Sequence, residues 1–415
     1  MRIIMTNIIK IPWAAWREPT YKELTFPDAW EVNVCRMNKW DGPVLSDEEI
    51  KNSILNPISK AKLSELAKGK EKIVIVVDDM TRTTPVSRII PFVMDELEKV
   101  GIERNQITIL LALGAHKPMS RTDCVLKLGK EIVNNYRIEN HHPYENLTNL
   151  GESSIGTPID INTTYYNADL KISIGGVIPH PLAGFGGGAK IVLPGVCGIR
   201  TLEANHSAAM RGIGAGIGRM TGVREDIEEI ADKVGLDFSI NVILTEEGDI
   251  SAITCGDFRK SHRKAMELGS EAYKTEVTLN NNVCFFNLFP EDSELNQTSK
   301  GFNFLMTAPN KMLERRGHIV LMSASYEGRG YHSLIAETGA RLYENMGKSV
   351  IWRAFVKRRE VIFYSPNINE YDLHHFFPKS VKLFNDWKEL INELDKVYEG
   401  QLKAAIFPCS IQLAK

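Results

Sequence analysis

The chain has 415 residues, too many for one ordinary core, because typical domains hold about 100–200 residues. Its 43% hydrophobic and 25% charged residues are typical of a globular protein, for which we expect two or three domains. A formal net charge of −2 argues against the basic surfaces that bind nucleic acids or anionic membranes.

The sequence carries no pattern for export or for a membrane span. No apolar run approaches the length of a membrane helix, and the first residues lack a cleavage pattern. The six cysteines are scattered, with no CxxC pair and no zinc-ligand spacing. We therefore expect a cytoplasmic protein whose cysteines are reduced and buried.

The N-terminal part of the chain predicts a lead segment followed by helices. Residues 1–50 mix strand-like runs with proline and charges, which indicates an irregular or β-rich segment. Residues 46–69 open with a serine and an acidic turn and end in glycine, which predicts a pair of helices.

A strand–helix alternation begins at residue 71. Residues 71–79 and 107–116 are apolar runs that predict buried parallel strands. Residues 86–101 and 120–136 predict helices, and residues 169–176 predict a third strand. This order is typical of α/β folds, in which ligands bind at the carboxyl ends of the strands.

Reactive side chains follow each of these three strands. Asp79, Thr81 and Arg82 follow the first strand, His116 follows the second, and His180 follows the third. Because the carboxyl ends of parallel strands meet at one edge of a sheet, we expect these groups to share a site. Arg82 offers a planar pair of donors suited to a carboxylate or a phosphate.

A glycine-rich stretch extends the third strand. It contains the run Gly184 to Gly188, then Lys190 and His206. Glycine lets the backbone approach a ligand closely, and a lysine in apolar surroundings can act as a nucleophile. The run formally fits the dinucleotide fingerprint GxGxxA, but a proline interrupts the helix that should follow. Taken alone, the run is more often a tight turn than a phosphate site.

The histidines differ in their surroundings. His116 and His180 could each be an ordinary turn histidine, but two of them at matching strand ends suit an acid–base pair. His206 lies on a predicted helix, where a lone histidine is usually structural. Surface or loop positions are expected for the remaining histidines that we consider: His141, His142, His262, His318, His374 and His375.

The middle of the chain completes a first domain. Helices are predicted at 199–215, 222–235 and 258–273, and a hairpin is predicted at 238–257. We therefore expect residues 1–275 to form an N-terminal cofactor-binding and catalytic domain.

The alternation restarts after residue 275. Residues 277–290, 317–328, 349–355 and 361–366 predict strands separated by helices. Residues 276–415 are thus predicted to form a C-terminal α/β domain that closes the cleft, although a last strand at 404–409 could return to the first domain. The predicted fold is α/β with two domains, each a mainly parallel sheet flanked by helices, and an active site in the interdomain cleft.

A polar stretch, Asn296 to Lys300, follows the first strand of the predicted C-terminal domain. It could be a solvated helix start. Alternatively, Gln297 and Lys300 could reach across a cleft and hold a carboxylate.

The motifs together resemble the lactate racemase family of nickel-pincer enzymes. The resemblance extends over nearly the whole chain, and its most specific part is the glycine-rich loop with its lysine and flanking histidines. It rests on Asp79-x-Thr81-Arg82, Gly114-Ala115-His116, Pro179-His180, Phe185-x-Gly187-Gly188-Ala189-Lys190 and Asn205-His206.

This resemblance implies a cofactor and its ligands. The cofactor is a nickel-pincer nucleotide, pyridinium-3,5-bisthiocarboxylic acid mononucleotide nickel, covalently attached at Lys190. His206 would complete the nickel ligands, and sulfur donors with one imidazole suit Ni(II). Cofactor-maturation enzymes are implied as partners, and the oligomeric state stays open. The implied cofactor contacts are Asp79, Thr81, Gly187, Gly188 and Gln297.

The resemblance also implies a reaction. The substrate is a 2-hydroxy acid, whose α-hydride moves reversibly to the cofactor and leaves a planar 2-keto acid. His116 and His180 would move the hydroxyl proton on the two faces of that keto acid. Arg82 and Lys300 would neutralise carboxylate or phosphate charge.

One departure from the family bears on the substrate. Lactate-type members often have tyrosine before the glutamine, where this chain has Asn296. A smaller and more polar residue there favours a substrate larger or more hydroxylated than lactate. Two alternatives are kept open: an oxidoreductase with exchangeable NAD at the glycine run, and a catalytically idle homologue that binds a small anion.

Overall fold

The computed structural model describes residues 7–210, 212–214, 216–334, 356 and 359–414. The strands of these residues, in chain order, are β1 (Asn7–Pro12), β2 (Tyr21–Phe26), β3 (Glu31–Val34), β4 (Ile73–Asp78), β5 (Ile107–Ala112), β6 (Arg137–Asn140), β7 (Leu147–Glu152), β8 (Pro158–Asn162), β9 (Leu170–Gly176), β10 (Pro179–His180), β11 (Gly184–Phe185), β12 (Phe238–Leu244), β13 (Ile250–Gly256), β14 (Lys274–Thr275), β15 (Asn281–Asn287), β16 (Leu313–Met322), β17 (Glu360–Tyr364), β18 (Lys382–Phe384), β19 (Lys403–Phe407) and β20 (Leu413–Ala414).

The helices of the same residues are α1 (Asp47–Leu55), α2 (Leu63–Ala67), α3 (Ile90–Glu98), α4 (Arg121–Leu128), α5 (Lys130–Asn135), α6 (Thr163–Tyr166), α7 (Ile199–Met210), α8 (Gly222–Val234), α9 (Phe258–Ala272), α10 (Asn303–Thr307), α11 (Glu370–Phe376) and α12 (Trp387–Val397). Among the described helices, none has the length and apolarity needed to cross a membrane.

One six-stranded sheet positions the predicted site. Its order is β13-β12-β9-β4-β5-β6, and all neighbours are parallel except β12 and β13, which form the predicted hairpin. The central strand β4 is an apolar run buried on both faces, as a parallel strand covered by helices requires. Its last residue, Asp78, pairs with Ala112 of β5, so the carboxyl ends of the two strands coincide.

A second six-stranded sheet has the order β18-β17-β16-β15-β19-β3 and is parallel throughout. The predicted fold class is confirmed as α/β with mainly parallel sheets flanked by helices. The strand predicted at 404–409 corresponds to β19, which pairs with β15 and β3 and so belongs to this second sheet rather than to the first.

The described residues form two compact units. One unit comprises the described residues of Met1–Trp40, Tyr273–Tyr331 and Tyr343–Lys415, and the other those of Asp41–Ala272 and His332–Leu342. The sequence analysis assigned residues 1–275 to one domain, whereas the lead segment here groups with the C-terminal part. The reason is that β3 extends the second sheet by pairing with β19, while Phe26 and Trp30 pack into its core.

Several predicted elements differ in detail. The helix predicted at 120–136 is broken at Gly129, whose φ of +88° ends α4. Residues 137–162 form three strands that periodicity did not indicate. The strand predicted at 349–355 lies outside the described residues. All six cysteines lie within the described residues, where they are buried and form no disulfide.

Candidate active site

Asp79 and His116 meet at the carboxyl ends of β4 and β5. The His116 Nδ1 and Asp79 Oδ2 atoms lie 2.5 Å apart. The second carboxylate oxygen of Asp79 accepts hydrogen bonds from the backbone nitrogen of Thr81 at 2.9 Å and from its hydroxyl at 2.6 Å. Burial alone would raise the pKa of Asp79, but His116, Arg82 and Thr81 outweigh it and lower that pKa. Asp79 is therefore an anion with both oxygens occupied.

The turn that carries Asp79 and Arg82 is held by a buried lysine that the sequence analysis did not single out. Lys127 of α4 is fully buried, and its Nζ lies 2.7 Å from Asp78 Oδ1. The same Nζ donates to the carbonyls of Asp79 at 3.1 Å and Arg82 at 2.7 Å. Burial lowers the pKa of Lys127, and the Asp78 carboxylate partly offsets this. The Arg82 Nη1 in turn donates to the Thr81 carbonyl and hydroxyl, each at 2.9 Å.

Residues His332 and Ser333 also pack against the segment that carries His116. The segment after residue 331 forms a bridge with it, in which His332 pairs with His116 and the Ser333 nitrogen donates to the Ala115 carbonyl at 2.8 Å. The two imidazole rings meet edge to face with centroids 5.2 Å apart. His332 was not considered in the sequence analysis, because no motif marks it.

The glycine-rich loop follows β9 and is held by a buried arginine. Pro179–His180 pairs with Gly184–Phe185 as a short antiparallel ribbon. Arg224 of α8 is fully buried, and its guanidinium donates to a run of loop carbonyls. The acceptors are the carbonyls of Ala183 at 3.3 Å, Phe185, Gly186 at 3.4 Å and Gly187 at 3.1 Å.

Two further buried side chains fix the centre of this loop. His262 of α9 donates from Nε2 to the Gly186 carbonyl at 2.7 Å, and Asn241 of β12 accepts from the Gly188 nitrogen at 2.9 Å. Gly188 has a φ of +55°, and a Cβ there would lie 2.8 Å from the His262 ring. The surface or loop position expected for His262 is wrong, because His262 is buried in α9. His141 does lie in a loop, directly after β6, but it is buried and donates to the Cys197 carbonyl.

Lys190 and His206 come next along the chain. Lys190 lies in a short 3₁₀ helix, Gly188–Ile191, and is partly exposed. His206 of α7 donates from Nδ1 to the carbonyl of Leu202 at 2.7 Å. Burial, and then the charge of Lys190, lower the pKa of His206 to about 4, although the Leu202 hydrogen bond raises it. His206 is thus neutral at pH 7, and its lone pair is on Nε2 because Nδ1 donates to Leu202.

His180 is arranged differently from His116. Its Nδ1 accepts hydrogen bonds from the backbone nitrogens of Leu182 at 3.3 Å and Ala183 at 3.2 Å. The half-buried ring therefore belongs to the same glycine-rich loop that Arg224 holds.

The predicted polar stretch lies in the other unit. Gln297 is buried in a 3₁₀ helix, Leu295–Phe302, and donates to Asn296 Oδ1 at 2.9 Å and to Glu294 Oε1 at 3.3 Å. A solvated helix start is therefore excluded for Gln297. Lys300 lies in the same helix, and its side chain is outside the described atoms.

The comparisons with known proteins agree with one another. The family model for the lactate racemase N-terminal domain matches residues 18–218. A lactate racemase from Lactiplantibacillus plantarum is 33% identical over 305 residues, covering 70% of this chain and 70% of that protein. A lactate racemase from Thermoanaerobacterium thermosaccharolyticum is 30% identical over 297 residues, covering 69% of this chain and 68% of that protein.

Solved structures show the same fold. The lactate racemase apoprotein from Thermoanaerobacterium thermosaccharolyticum matches with a TM-score of 0.76 at 22% identity, covering 98% of this chain and all of that one. A protein from Thermotoga maritima matches with a TM-score of 0.67 at 21% identity, covering 90% of this chain and 99% of that one.

These findings define the chain as an isomerase with an α/β fold. It belongs to the lactate racemase family, as the sequence analysis predicted. The matched segment 18–218 contains Arg82, His116, His180, Lys190 and His206.

Proposed function

We propose that the chain racemises or epimerises 2-hydroxy acids with a nickel-pincer nucleotide covalently held by Lys190. The observation that carries this proposal is the arrangement within one unit. Lys190 lies close enough to His206 for its charge to lower the pKa of His206, and so does His116, which pairs with Asp79, when its ring is protonated. A proton acceptor, a nucleophilic amine and a metal-ligating imidazole therefore share one region.

The side chains fit such a cofactor. The Nδ1–H of His206 is taken up by the Leu202 carbonyl, which leaves Nε2 as the nitrogen that would bind nickel. Lys190 follows glycines that pack closely on Val177 and His262, so the backbone that carries Lys190 is held in place by the surrounding chain. When bound, the cofactor would take the hydride from the substrate α-carbon and return it.

The chain's own residues would bind the substrate and move its proton. His116 Nε2 would accept the hydroxyl proton, because its Nδ1 faces the Asp79 carboxylate. His180 would serve the opposite face of the keto acid. Arg82 and Lys300 would neutralise the substrate carboxylate, and Asp79, Thr81, Gly187, Gly188 and Gln297 stay predicted cofactor contacts.

The loop geometry supports this proposal over an NAD-dependent oxidoreductase. A dinucleotide site requires a helix directly after the glycine fingerprint, with its N-terminus on the phosphates. Here the glycine run leads into a 3₁₀ helix of four residues, Gly188–Ile191. The presence of His116, His180, Lys190 and His206 likewise disfavours an idle anion-binding homologue.

We further propose that the substrate is larger or more polar than lactate. Asn296 replaces the tyrosine common in lactate-type members, and its buried Nδ2 has no hydrogen-bond acceptor among the described residues. Such a donor suits a hydroxyl or second carboxylate on the substrate. Rates with lactate, malate and gluconate test this idea, and it fails if lactate is the best substrate by a wide margin.

Intact-mass analysis tests the attachment directly. Protein made together with the cofactor-maturation enzymes, which we propose as partners, should carry a mass adduct and stoichiometric nickel. Lys190→Ala should lose the adduct, whereas the surface substitution Lys264→Ala should keep it. An unmodified wild-type protein with full racemase activity would refute the proposal.

A further inference from the structure

The two candidate proton-transfer histidines present opposite hydrogen-bonding patterns. A backbone N–H can only donate, and an ionised carboxylate can only accept. These two facts decide for each imidazole whether Nδ1 carries a hydrogen.

His116 carries its proton on Nδ1. Its partner at 2.5 Å is an oxygen of Asp79, whose pKa is lowered and which is therefore an acceptor. In the neutral form of this ring the lone pair is on Nε2, and protonation there gives an imidazolium that Asp79 stabilises.

His180 carries its proton on Nε2. Its Nδ1 accepts from the backbone nitrogens of both Leu182 and Ala183, so this atom must hold the lone pair. The loop that supplies these donors is fixed by Arg224 through the carbonyls of Ala183 and Gly187. To accept a proton at Nε2, His180 would first have to move its own proton to Nδ1 and give up both bonds.

We propose that Asp79 is a positioning residue that keeps hydrogen on Nδ1 of His116, so that the neutral ring accepts a proton at Nε2, whereas neutral His180 presents an N–H there. The consequence for catalysis rests on the proposed function. The two faces of the keto acid are then served unequally. The enantiomer whose hydroxyl faces His116 can transfer its proton directly to Nε2. The other enantiomer reacts more slowly, because His180 must first change its tautomer.

The surroundings of Asp79 predict what an amide would do in its place. The Oδ1 atom of Asp79 accepts from the Thr81 backbone nitrogen, which needs an acceptor, and Oδ2 faces His116. In Asp79→Asn the amide oxygen would therefore keep this bond, and the amide nitrogen would face His116. Because that nitrogen only donates, His116 Nδ1 would become an acceptor and its proton would move to Nε2.

The first test uses protein without cofactor. Long-range ¹⁵N–¹H spectra of the histidine-labelled chain report which ring nitrogen carries hydrogen, and His116→Gln and His180→Gln assign the signals. We expect Nδ1–H on His116 and Nε2–H on His180. In Asp79→Asn the His116 signal should switch to Nε2–H, whereas the exposed control Asp95→Asn should leave both unchanged.

The second test uses the loaded enzyme in single turnovers from each enantiomer. Keto acid should form faster from one enantiomer, and Asp79→Asn should slow that faster reaction by a factor on the order of 10²–10⁴, while changing the slower one little. Equal rates from both enantiomers would overturn the unequal roles.

The two tests separate this inference from the proposed function. His116 with Nδ1 unprotonated in the wild type, or no tautomer switch in Asp79→Asn, overturns the inference even if the enzyme racemises 2-hydroxy acids. Conversely, the expected tautomers without turnover of any 2-hydroxy acid would uphold the assigned positions and refute the proposed function.

Discussion

At the scale of single residues, buried histidines support the loops around the site. His141 donates to the Cys197 carbonyl and His262 to the Gly186 carbonyl, and both are almost fully buried. Burial lowers the pKa of His141 to about 4, partly offset by the Cys197 carbonyl, and it lowers the pKa of His262 well below its usual value. Both side chains are therefore neutral in the folded protein at pH 7.

Because His141 and His262 are buried in the neutral form, we expect the protein to lose stability in acid. Below the ordinary pKa of 6.5, the unfolded chain binds protons at both positions, whereas folded His141 does not until about pH 4 and the pKa of folded His262 is also well below its usual value. The free energy of unfolding should therefore fall as pH drops from about 6.5 to 4, with His141 alone contributing about 3 kcal/mol. Urea titrations across this range measure it.

A matched pair of variants isolates the histidine contribution. His141→Gln should show a shallower loss of stability with falling pH than the wild type. The exposed His142→Gln should follow the wild-type curve. The assignment is wrong if both variants show the same pH dependence as the wild type.

At the scale of elements, Arg224 shows how a helix determines the shape of a distant loop. Its bonds reach carbonyls 37 to 41 residues away in sequence, in a loop whose glycines cannot supply side-chain partners. Burial lowers the pKa of Arg224 to about 10, so it stays charged at neutral pH. The loop that presents His180 and Lys190 is thus anchored from α8.

Removing this anchor should destabilise the protein. Arg224→Met leaves the Phe185 carbonyl without a donor among the described residues, whereas the Ala183, Gly186 and Gly187 carbonyls keep the Phe185 nitrogen, His262 and the Lys190 nitrogen. We expect a loss of about 1–3 kcal/mol in urea unfolding for this one unpaired buried group, together with loss of the Lys190 adduct. The control is Arg263→Met, which removes one of the two arginine partners of Glu228 but no loop bond. Equal effects of the two variants would contradict this role.

At the scale of the whole molecule, the lead segment belongs with the C-terminal sheet. Phe26 packs edge to face on Phe285 with ring centroids 5.5 Å apart, and the Trp30 Nε1 donates to Asp395 at 2.8 Å. The buried Asp292 accepts from the backbone nitrogens of Ala14 at 2.8 Å and Ala15 at 3.0 Å. The unit that contains the second sheet therefore needs the lead segment, residues 7–40, to complete its core.

Fragments of the chain test this organisation. Residues 273–415 alone should give no cooperative urea transition, because the second sheet loses β3 and its core loses the aromatic residues of the lead. Residues 1–40 joined to them by a glycine–serine linker should restore the transition. A fragment of residues 273–415 that unfolds as cooperatively as the linked protein would contradict the assignment.

The sequence predicted which side chains meet at the carboxyl ends of the first sheet. It did not predict the buried side chains that hold the neighbouring loops in place. Residues 71–79 and 107–116 are continuous apolar runs, so parallel pairing and the meeting of Asp79 with His116 followed from general rules. Lys127 and Arg224 were missed because their acceptors are backbone carbonyls that only the folded chain brings to them. The lead segment was misplaced because the pairing of β3 with β19 spans almost the whole chain.

The most direct test of the account follows the α-hydrogen of the substrate. An enantiopure 2-hydroxy acid is incubated with the nickel-loaded enzyme in D₂O, and the product is analysed by chiral chromatography and mass spectrometry. Hydride removal and return predicts the opposite configuration with the original hydrogen still on the α-carbon. Deuterium at that carbon, or no change of configuration with any 2-hydroxy acid, would contradict the account.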